Sequence, residues 1–259
     1  MDINVFKRVE KKYLLSEDLY QKLFEKMNNY ITVDIYDFST ICNIYFDTDD
    51  YLLVNRSIEK PIYKEKVRLR SYGIPKKNSK VFLEIKKKYK GVVGKRRVSA
   101  PLKEFYKYFN TGKYPNVDTQ IMNEIDYWFK FYNLKPKVFL AYDRYSYKGK
   151  DDSNFRITFD KNIRSRTDNL YLENGDNGML LLDKNCYIME VKTLGAYPLW
   201  FAQILSELNI YPTTLSKYGN VYKKQIFKKE GSVCLTVFLA YQIHYQLLQF
   251  YCVSYFLLY

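Results

Sequence analysis

The sequence predicts an α+β fold in which about eight antiparallel strands close into a β-barrel with flanking helices. Short segments with the apolar–polar alternation of strands recur along the chain and are mostly joined by turns. Helical segments do not alternate regularly with these strands, which argues against a parallel sheet. Charged residues, mainly cations, occupy one face of nearly every predicted strand, and a barrel with that face inward explains this arrangement.

The first part of the chain is rich in strand patterns. In residues 5–15 the alternation places Arg8, Glu10 and Lys12 on one face. A helix then begins after Ser16, a favoured N-cap residue that two acidic residues follow. Further strands, separated by turns such as GIPKKNSK and GVVG, are predicted over residues 39–48, 64–72, 80–89 and 91–99.

The strand over residues 64–72 shows the pattern most clearly, because apolar Val67 and Leu69 alternate with Lys66, Arg68 and Arg70. Two arginines on one face are about 7 Å apart, and their repulsion is about 2.4 kcal/mol at an effective dielectric constant of about 20. A solvated face tolerates this repulsion easily. An enclosed face does so only if an anion lies between the cations.

The second part of the chain combines helices with strands. Residues 136–149 and 154–163 are predicted to form an antiparallel pair, and residues 178–193 a hairpin whose last strand carries Glu190 and Lys192 on one face. Pro198 suits the first turn of a helix. The apolar spacing predicts helices over residues 101–110, 119–133, 197–208 and 215–227.

Composition narrows the class of function. Lys and Arg number 42 against 28 Asp and Glu, a net charge of +14, so the partner is expected to be nucleic acid, a membrane surface or a polyphosphate. The four cysteines form no C-x-x-C pair, which excludes a zinc ribbon and suits a reducing, cytoplasmic location. His244 is the single histidine, so histidine-rich zinc sites and Ser-His-Asp triads are excluded.

Nucleic acid is the less favoured anion. Tyrosines interleaved with cations would suit it, but the recurring glutamates would repel a phosphate backbone unless they held a divalent metal ion. Each glutamate taken singly is also explained by a salt bridge to a neighbouring lysine. Gly91 and Gly94 before Lys95 lack the spacing of a phosphate-binding loop, so side chains, above all arginines, must hold the phosphates.

An ordered set of motifs then identifies a family resemblance over about residues 5–225. The motifs are RVEKKYLL, YFDT, VRLRSYG, VFLEIKKK, KRRVS, YDRYSY, FRITFD, MEVKT and LSKYG. In this order they resemble VTC-type polyphosphate polymerase domains, which belong to the triphosphate tunnel metalloenzyme superfamily with the CYTH phosphohydrolases. The resemblance implies an eight-stranded antiparallel tunnel and transfer of the ATP γ-phosphate to a growing inorganic polyphosphate chain, with Mn²⁺ or Mg²⁺ held partly by glutamate.

The resemblance also implies roles for individual residues. The side chains expected to bind the reacting phosphoryl groups are Arg68, Arg70, Arg144 and Arg156. Further phosphate ligands are expected at Arg8, Lys12, Lys86, Arg96, Lys192 and Lys217, and metal ligands at Glu190 and Glu10. Arg8-x-Glu10-x-Lys12 replaces the E-x-E-x-K of CYTH enzymes and favours the polymerase branch. Thr214-x-x-Lys217 replaces a K-x-x-K pair, which puts contacts with the acceptor or product in question.

Two alternative functions of the same tunnel stay open. One is hydrolysis of triphosphate, and the other is non-catalytic sensing of polyphosphate or inositol phosphate.

Residues 231–259 are treated as a segment distinct from the domain over residues 1–230. They contain no Asp, Glu, Lys or Arg and are long enough for a bilayer span of about 20 residues. Their polar residues interrupt that pattern and equally suit a helix packed on protein or lying at an interface. A membrane or a membrane protein is therefore a further candidate partner.

Overall fold

The structure is a computed structural model that describes residues 9–59, 61–90 and 92–227, without the side chains of residues 35 and 36. Its strands are β1 Val9–Ser16, β2 Ile31–Asp47, β3 Tyr63–Tyr72, β4 Lys80–Tyr89, β5 Val92–Pro101, β6 Lys135–Gly149, β7 Arg156–Arg166, β8 Met179–Leu180 and β9 Cys186–Thr193. Its helices are α1 Glu17–Met27, α2 Leu52–Ile58, α3 Leu102–Thr111, α4 Thr119–Phe131, α5 Leu199–Glu207 and α6 Lys217–Val221, with a π-helical turn over Tyr222–Ile226. The chain divides into two compact units after Asn220, and the site described below lies in the first.

The strands form one antiparallel sheet in the order β1-β9-β7-β6-β2-β3-β4-β5, with β8 beside β7. The predicted antiparallel α+β fold is confirmed. The predicted closure of the barrel by hydrogen bonds is not confirmed. Within the described residues, β1 and β5 end the sheet and do not pair with each other. The edge of β1 is instead occupied by Thr213, whose N–H donates to the Lys12 carbonyl at 2.7 Å.

The sheet is strongly curled. Glu10 lies on β1, the first strand of the sheet order, and Lys86 lies on β4, the last strand but one, yet their side chains form an ion pair at 3.6 Å. One face of the sheet is therefore turned toward itself. We call it the inner face and the opposite side, which carries the helices, the outer face.

Two apolar clusters lie on the outer face, and this distribution is the reverse of an ordinary sandwich core. In one, α3 and α4 pack over β2–β5, with Val67 and Leu69 fully buried beneath them. In the other, α1 and α5 pack over β1, β7 and β9. Because side chains alternate along a strand, burial of Val67 and Leu69 outward directs Lys66, Arg68 and Arg70 inward.

Several predicted elements begin or pair differently. Ser16 caps α1 as expected, accepting from the Leu19 N–H at 3.3 Å, whereas Pro198 precedes α5 instead of lying in its first turn. β2 starts at residue 31, eight positions before the prediction, and α2 was not predicted. The predicted hairpin over residues 178–193 is wrong, because β8 pairs with β7 at Arg164 while β9 lies between β1 and β7.

The predicted domain boundary at residue 230, the segment over residues 231–259 and Arg8 lie outside the described residues. In the part of the chain that the structure describes, no helix combines the length and apolar character that crossing a bilayer requires.

Candidate anion-binding site

The inner face of the sheet is the candidate site, because it gathers charged side chains from β1, β3–β7 and β9. Cations outnumber carboxylates there, which leaves the enclosed surface positively charged. The inner-face cations include Lys12, Lys66, Arg68, Arg70, Lys86, Lys95, Arg97, Arg144, Arg156, Lys192 and, from α6, Lys217. The inner-face carboxylates are Glu10, Glu84, Asp160 and Glu190.

Glu84 organises one wall of the site. This carboxylate is 1% exposed and accepts from the Arg68 Nε at 2.8 Å, while the Lys95 Nζ lies 2.5 Å away. Arg70 is 4.0 Å from the same carboxylate. Burial opposes ionisation of Glu84, but Arg68 and Arg70 outweigh it and lower its pKa to about 2. One carboxylate thus holds three cations in place and leaves an excess of positive charge.

Asp160 organises the opposite wall. It is fully buried and accepts from Arg144 through two bonds, Nε at 2.6 Å and Nη2 at 2.8 Å. Lys217 of α6 lies 2.6 Å from the second oxygen of the same carboxylate. Burial would raise the pKa of Asp160, but Arg144 and Lys217 lower it overall, so the group is ionised. Asp160 therefore joins α6 to the sheet wall.

Helix α6 and the two residues before it cover another group of inner-face cations. Lys66 donates to the Ser216 hydroxyl at 2.9 Å, and Lys12 donates to the Leu215 carbonyl at 3.3 Å. Tyr218 stacks on Tyr45 with ring centroids 4.8 Å apart. Neutral oxygens thus solvate ammonium groups that have lost most of their water.

Two tyrosines extend the reach of the arginines. Arg68 donates to the Tyr45 hydroxyl and Arg70 to the Tyr142 hydroxyl, both at 3.2 Å. Burial opposes ionisation of each phenol, but the adjacent arginines lower both pKa values overall. Because each hydroxyl accepts from a guanidinium, its own proton is directed away and is available to an anion.

The structure brings most of the sequence-predicted residues together. Those found on the inner face are Lys12, Arg68, Arg70, Lys86, Arg144, Arg156, Lys192, Lys217, Glu10 and Glu190. Arg156 is the first residue of β7 and lies at the rim of this face, about half exposed, with Asp34 at 4.0 Å. Arg96 is a correction: it points to the outer face and pairs with Glu124 of α4 at 3.2 Å, whereas its neighbours Lys95 and Arg97 point inward.

Sequence reasoning assigned no role in the site to the two buried carboxylates that position the arginines. Glu84 and Asp160 each lie in a same-face pattern with a cation, two residues before Lys86 and four residues after Arg156. A single acid among cations on one strand face was the available signal. It did not show that each carboxylate would be shared by cations from other elements, which depends on the curl of the sheet.

We expect the affinity for tripolyphosphate to fall as the pH rises through 8. Burial lowers the pKa of both Lys66 and Lys95 to about 8, so their positive charges are lost well below the usual 10.5. Each titrating lysine reduces the association constant by at most about tenfold per pH unit. Isothermal titration calorimetry between pH 7 and 10 measures this decline, and the double variant Lys66→Arg with Lys95→Arg should flatten it.

The free energy of unfolding of the ligand-free protein should change in the opposite sense. Because the folded pKa of Lys66 lies below its unfolded value, the unfolded state binds more protons between about pH 8 and 10.5. Stability contributed through Lys66 therefore rises over that interval. A tripolyphosphate affinity that stayed constant or rose through pH 8 would contradict the first expectation. A free energy of unfolding, measured by chemical denaturation, that fell between pH 8 and 10.5 relative to that of Lys66→Arg would contradict the second.

The fold and the inner face define the class of protein as a curled antiparallel sheet that encloses a cation-lined surface suited to anions. A solved structure from Bacillus halodurans, described as a candidate adenylate cyclase, aligns with TM-score 0.52 at 17% identity over 85% of this chain and 97% of that one. A candidate adenylyl cyclase from Hippeastrum, described as having a dominant triphosphatase activity, aligns with TM-score 0.47 at 15% identity over 83% and 95%. No curated protein sequence matches significantly. The family model of the VTC domain matches residues 7–226, and the chain belongs to this family.

Proposed function

We propose that the protein is an ATP-dependent polyphosphate polymerase that transfers the γ-phosphoryl group of ATP to the end of an inorganic polyphosphate chain. The carrying observation is the excess of fixed cations on the inner face, held by Glu84 and Asp160. A linear polyanion can satisfy several of these cations at once. Membership of the VTC domain family supports the same activity.

Transfer between phosphates needs positioning and charge neutralisation more than it needs a base. Phosphoryl transfer passes through a loose transition state, and the acceptor is an already ionised phosphate oxygen. Arg70 is buried and Arg68 and Arg144 are mostly buried, and hydrogen bonds set the orientation of all three donors before substrate arrives. Fixed donors of this kind need little reorganisation when charge develops on the transferred group.

The described carboxylates of the inner face favour polymerisation over hydrolysis. Glu10, Glu84, Asp160 and Glu190 each have a lysine or arginine within 4.0 Å. Burial acts against ionisation of Glu190, yet Lys192 and Arg144 keep its pKa well below the usual range. A carboxylate whose pKa is held as low as that of Glu190 is a poor general base for activating water.

Glu10 and Glu190 fit a divalent cation such as Mg²⁺ or Mn²⁺. On β1 and β9, Lys12 is opposite Glu190 and Lys192 is opposite Glu10, so the two glutamates occupy diagonal positions on one face. Mg²⁺ is commonly bound by one or two carboxylates together with substrate phosphates. The ion would supply further neutralisation of phosphate charge. Among the described residues, no three acidic, histidine or cysteine side chains form a protein-only metal site.

The test is to incubate the full chain with ATP and Mg²⁺ or Mn²⁺ and to separate the products by gel electrophoresis. We expect long-chain polyphosphate and ADP, and loss of both after addition of a chelator, because two carboxylates and the phosphates no longer share a cation. Free phosphate without polymer would instead establish a triphosphatase. Binding of tripolyphosphate without turnover would establish a sensor.

A further inference from the structure

An exposed apolar surface lies on the outer face, away from the inner-face cations. We call it the aromatic face. Its members share high exposure and a position at the β4–β5 turn or on the neighbouring side of α4. They are Ile62, Tyr63, Tyr89, Val92, Tyr127 and Phe131.

Strand register makes this surface continuous. Tyr89 of β4 lies between Tyr63 of β3 and Val92 of β5, as the Cα partner of both. The Lys90 N–H donates to the Ile62 carbonyl at 2.9 Å, which fixes the turn beside the start of β3. Three neighbouring strands therefore end in one apolar row.

Helix α4 extends the row. Tyr132, directly after the helix, hydrogen-bonds through its hydroxyl to Glu65 of β3 at 2.5 Å, and Lys87 of β4 lies 4.9 Å from the Trp128 ring centroid. These inner aromatics anchor the helix on the sheet. Tyr127 and Phe131 stack on each other with centroids 5.5 Å apart and remain exposed, Phe131 to 62%.

Charge on this surface is positive. Both carboxylates of α4 are already paired, Glu124 with Lys87 and Arg96, and Asp126 with Lys130. On the β4–β5 turn Lys90 is exposed, with its Nζ 5.5 Å from the Tyr89 ring centroid, and on α4 Lys130 is exposed next to Phe131. The apolar row is thus bordered by cations without an excess of acids.

We propose that the aromatic face docks on an anionic lipid surface. Tyrosine and phenylalanine beside lysine is the composition of interfacial membrane contacts, where rings enter the headgroup region and ammonium groups meet anionic lipids. Protein–protein interfaces share the aromatic residues but are depleted in lysine. An exposed apolar row bordered by Lys90 and Lys130 therefore fits lipid better than a protein partner. This inference does not depend on the proposed polymerase activity.

The test measures partition of the full chain onto vesicles by sedimentation. Vesicles of phosphatidylcholine with phosphatidylserine should bind the protein, and vesicles of phosphatidylcholine alone should bind it much less. Lys90→Gln and Lys130→Gln should each weaken binding to the anionic vesicles by about fivefold. The double variant Val92→Ser with Phe131→Ser should bind at least about tenfold more weakly. The matched control is Leu199→Ser with Tyr211→Ser, which removes two side chains that are 74% and 72% exposed elsewhere.

Hydrogen exchange of the unaltered protein identifies the segment that touches the vesicle. We expect anionic vesicles to slow exchange in residues 86–96 and 124–132. Vesicle binding that left these amides unchanged, for instance binding through residues 231–259 alone, would overturn the proposal. So would equal losses in the two double variants, or no binding to anionic vesicles at all, which would leave a protein partner as the occupant of this face.

Discussion

Arg70→Ala should reduce polyphosphate synthesis by at least about 10²-fold while the protein remains folded. Arg70 is buried on the inner face, where its Nε donates to Asn43 at 2.9 Å and its Nη2 to the Tyr142 hydroxyl at 3.2 Å. Both partners fix the guanidinium in one orientation. Truncation removes this preorganised donor, and no neighbouring side chain can take its place without moving.

The fold should survive the Arg70→Ala change because the carboxylate nearest to it keeps other partners. Glu84 retains Arg68 at 2.7 Å and Lys95 at 2.5 Å. Circular dichroism and thermal unfolding check the fold, and product analysis with ATP and a divalent cation checks the activity. If the protein is a hydrolase instead of a polymerase, the same product analysis measures released phosphate. The loss of either reaction in Arg70→Ala is therefore detected.

Arg96→Ala is the matched control for Arg70→Ala. It makes the same chemical change on the same sheet, but Arg96 points to the outer face and Glu124 keeps Lys87 as a partner at 2.5 Å. We expect full activity from this variant. A well-folded Arg70→Ala protein with normal synthesis, or an Arg96→Ala protein as inactive as Arg70→Ala, would be incompatible with the inner face as the site.

These two arginines also show what strand periodicity can and cannot predict. Around Arg70 the alternation with Val67 and Leu69 identifies both faces, and the structure confirms that the cations point inward. In Lys95-Arg96-Arg97 three cations are consecutive, so the local pattern does not indicate which of them point to the inner face. Counting back from Val98 would have shown it, because Val98 is buried in the outer apolar cluster and Arg96 lies two residues before it.

Pairing between distant strands is less predictable than alternation within one. The sequence around residues 178–193 suits a hairpin. In the structure, however, β9 pairs with β1 and β7, while β8 pairs with Arg164 and Ser165 of β7. Such choices depend on the burial of whole strands and not on local turn residues. Closure was overpredicted for a related reason, since Thr213 occupies the edge of β1 that a closed barrel would pair with β5.

Asp160→Asn should cause the largest loss of stability among single changes in the site, about 3–5 kcal/mol. Asp160 is fully buried, and the substitution leaves Arg144 and Lys217 without the negative charge that they share. Asparagine has one acceptor oxygen and cannot reproduce the two bonds to Arg144 together with the contact to Lys217. Chemical denaturation at pH 7 measures the difference.

The dependence of this loss on pH has a definite sign. Because Arg144 and Lys217 lower the folded pKa of Asp160 below its unfolded value of 3.8, its contribution is complete above that value and is lost as the pH falls through the folded pKa. The difference in free energy of unfolding between the unaltered protein and Asp160→Asn should therefore narrow in acid. Asp49→Asn is the control, since Asp49 pairs with Lys135 and Lys137 on the surface and its loss should change little.

Addition of tripolyphosphate distinguishes an anion site from a purely structural ion pair. Phosphate oxygens bound between Arg144 and Lys217 can replace the missing carboxylate charge, and a ligand stabilises the folded state in proportion to its occupancy. Tripolyphosphate should therefore raise the melting temperature of Asp160→Asn by more than it raises that of Asp49→Asn. If Arg144 and Lys217 instead only attach α6 to the sheet, tripolyphosphate should raise the melting temperatures of the two variants equally. That result would show that these cations have no part in binding phosphate.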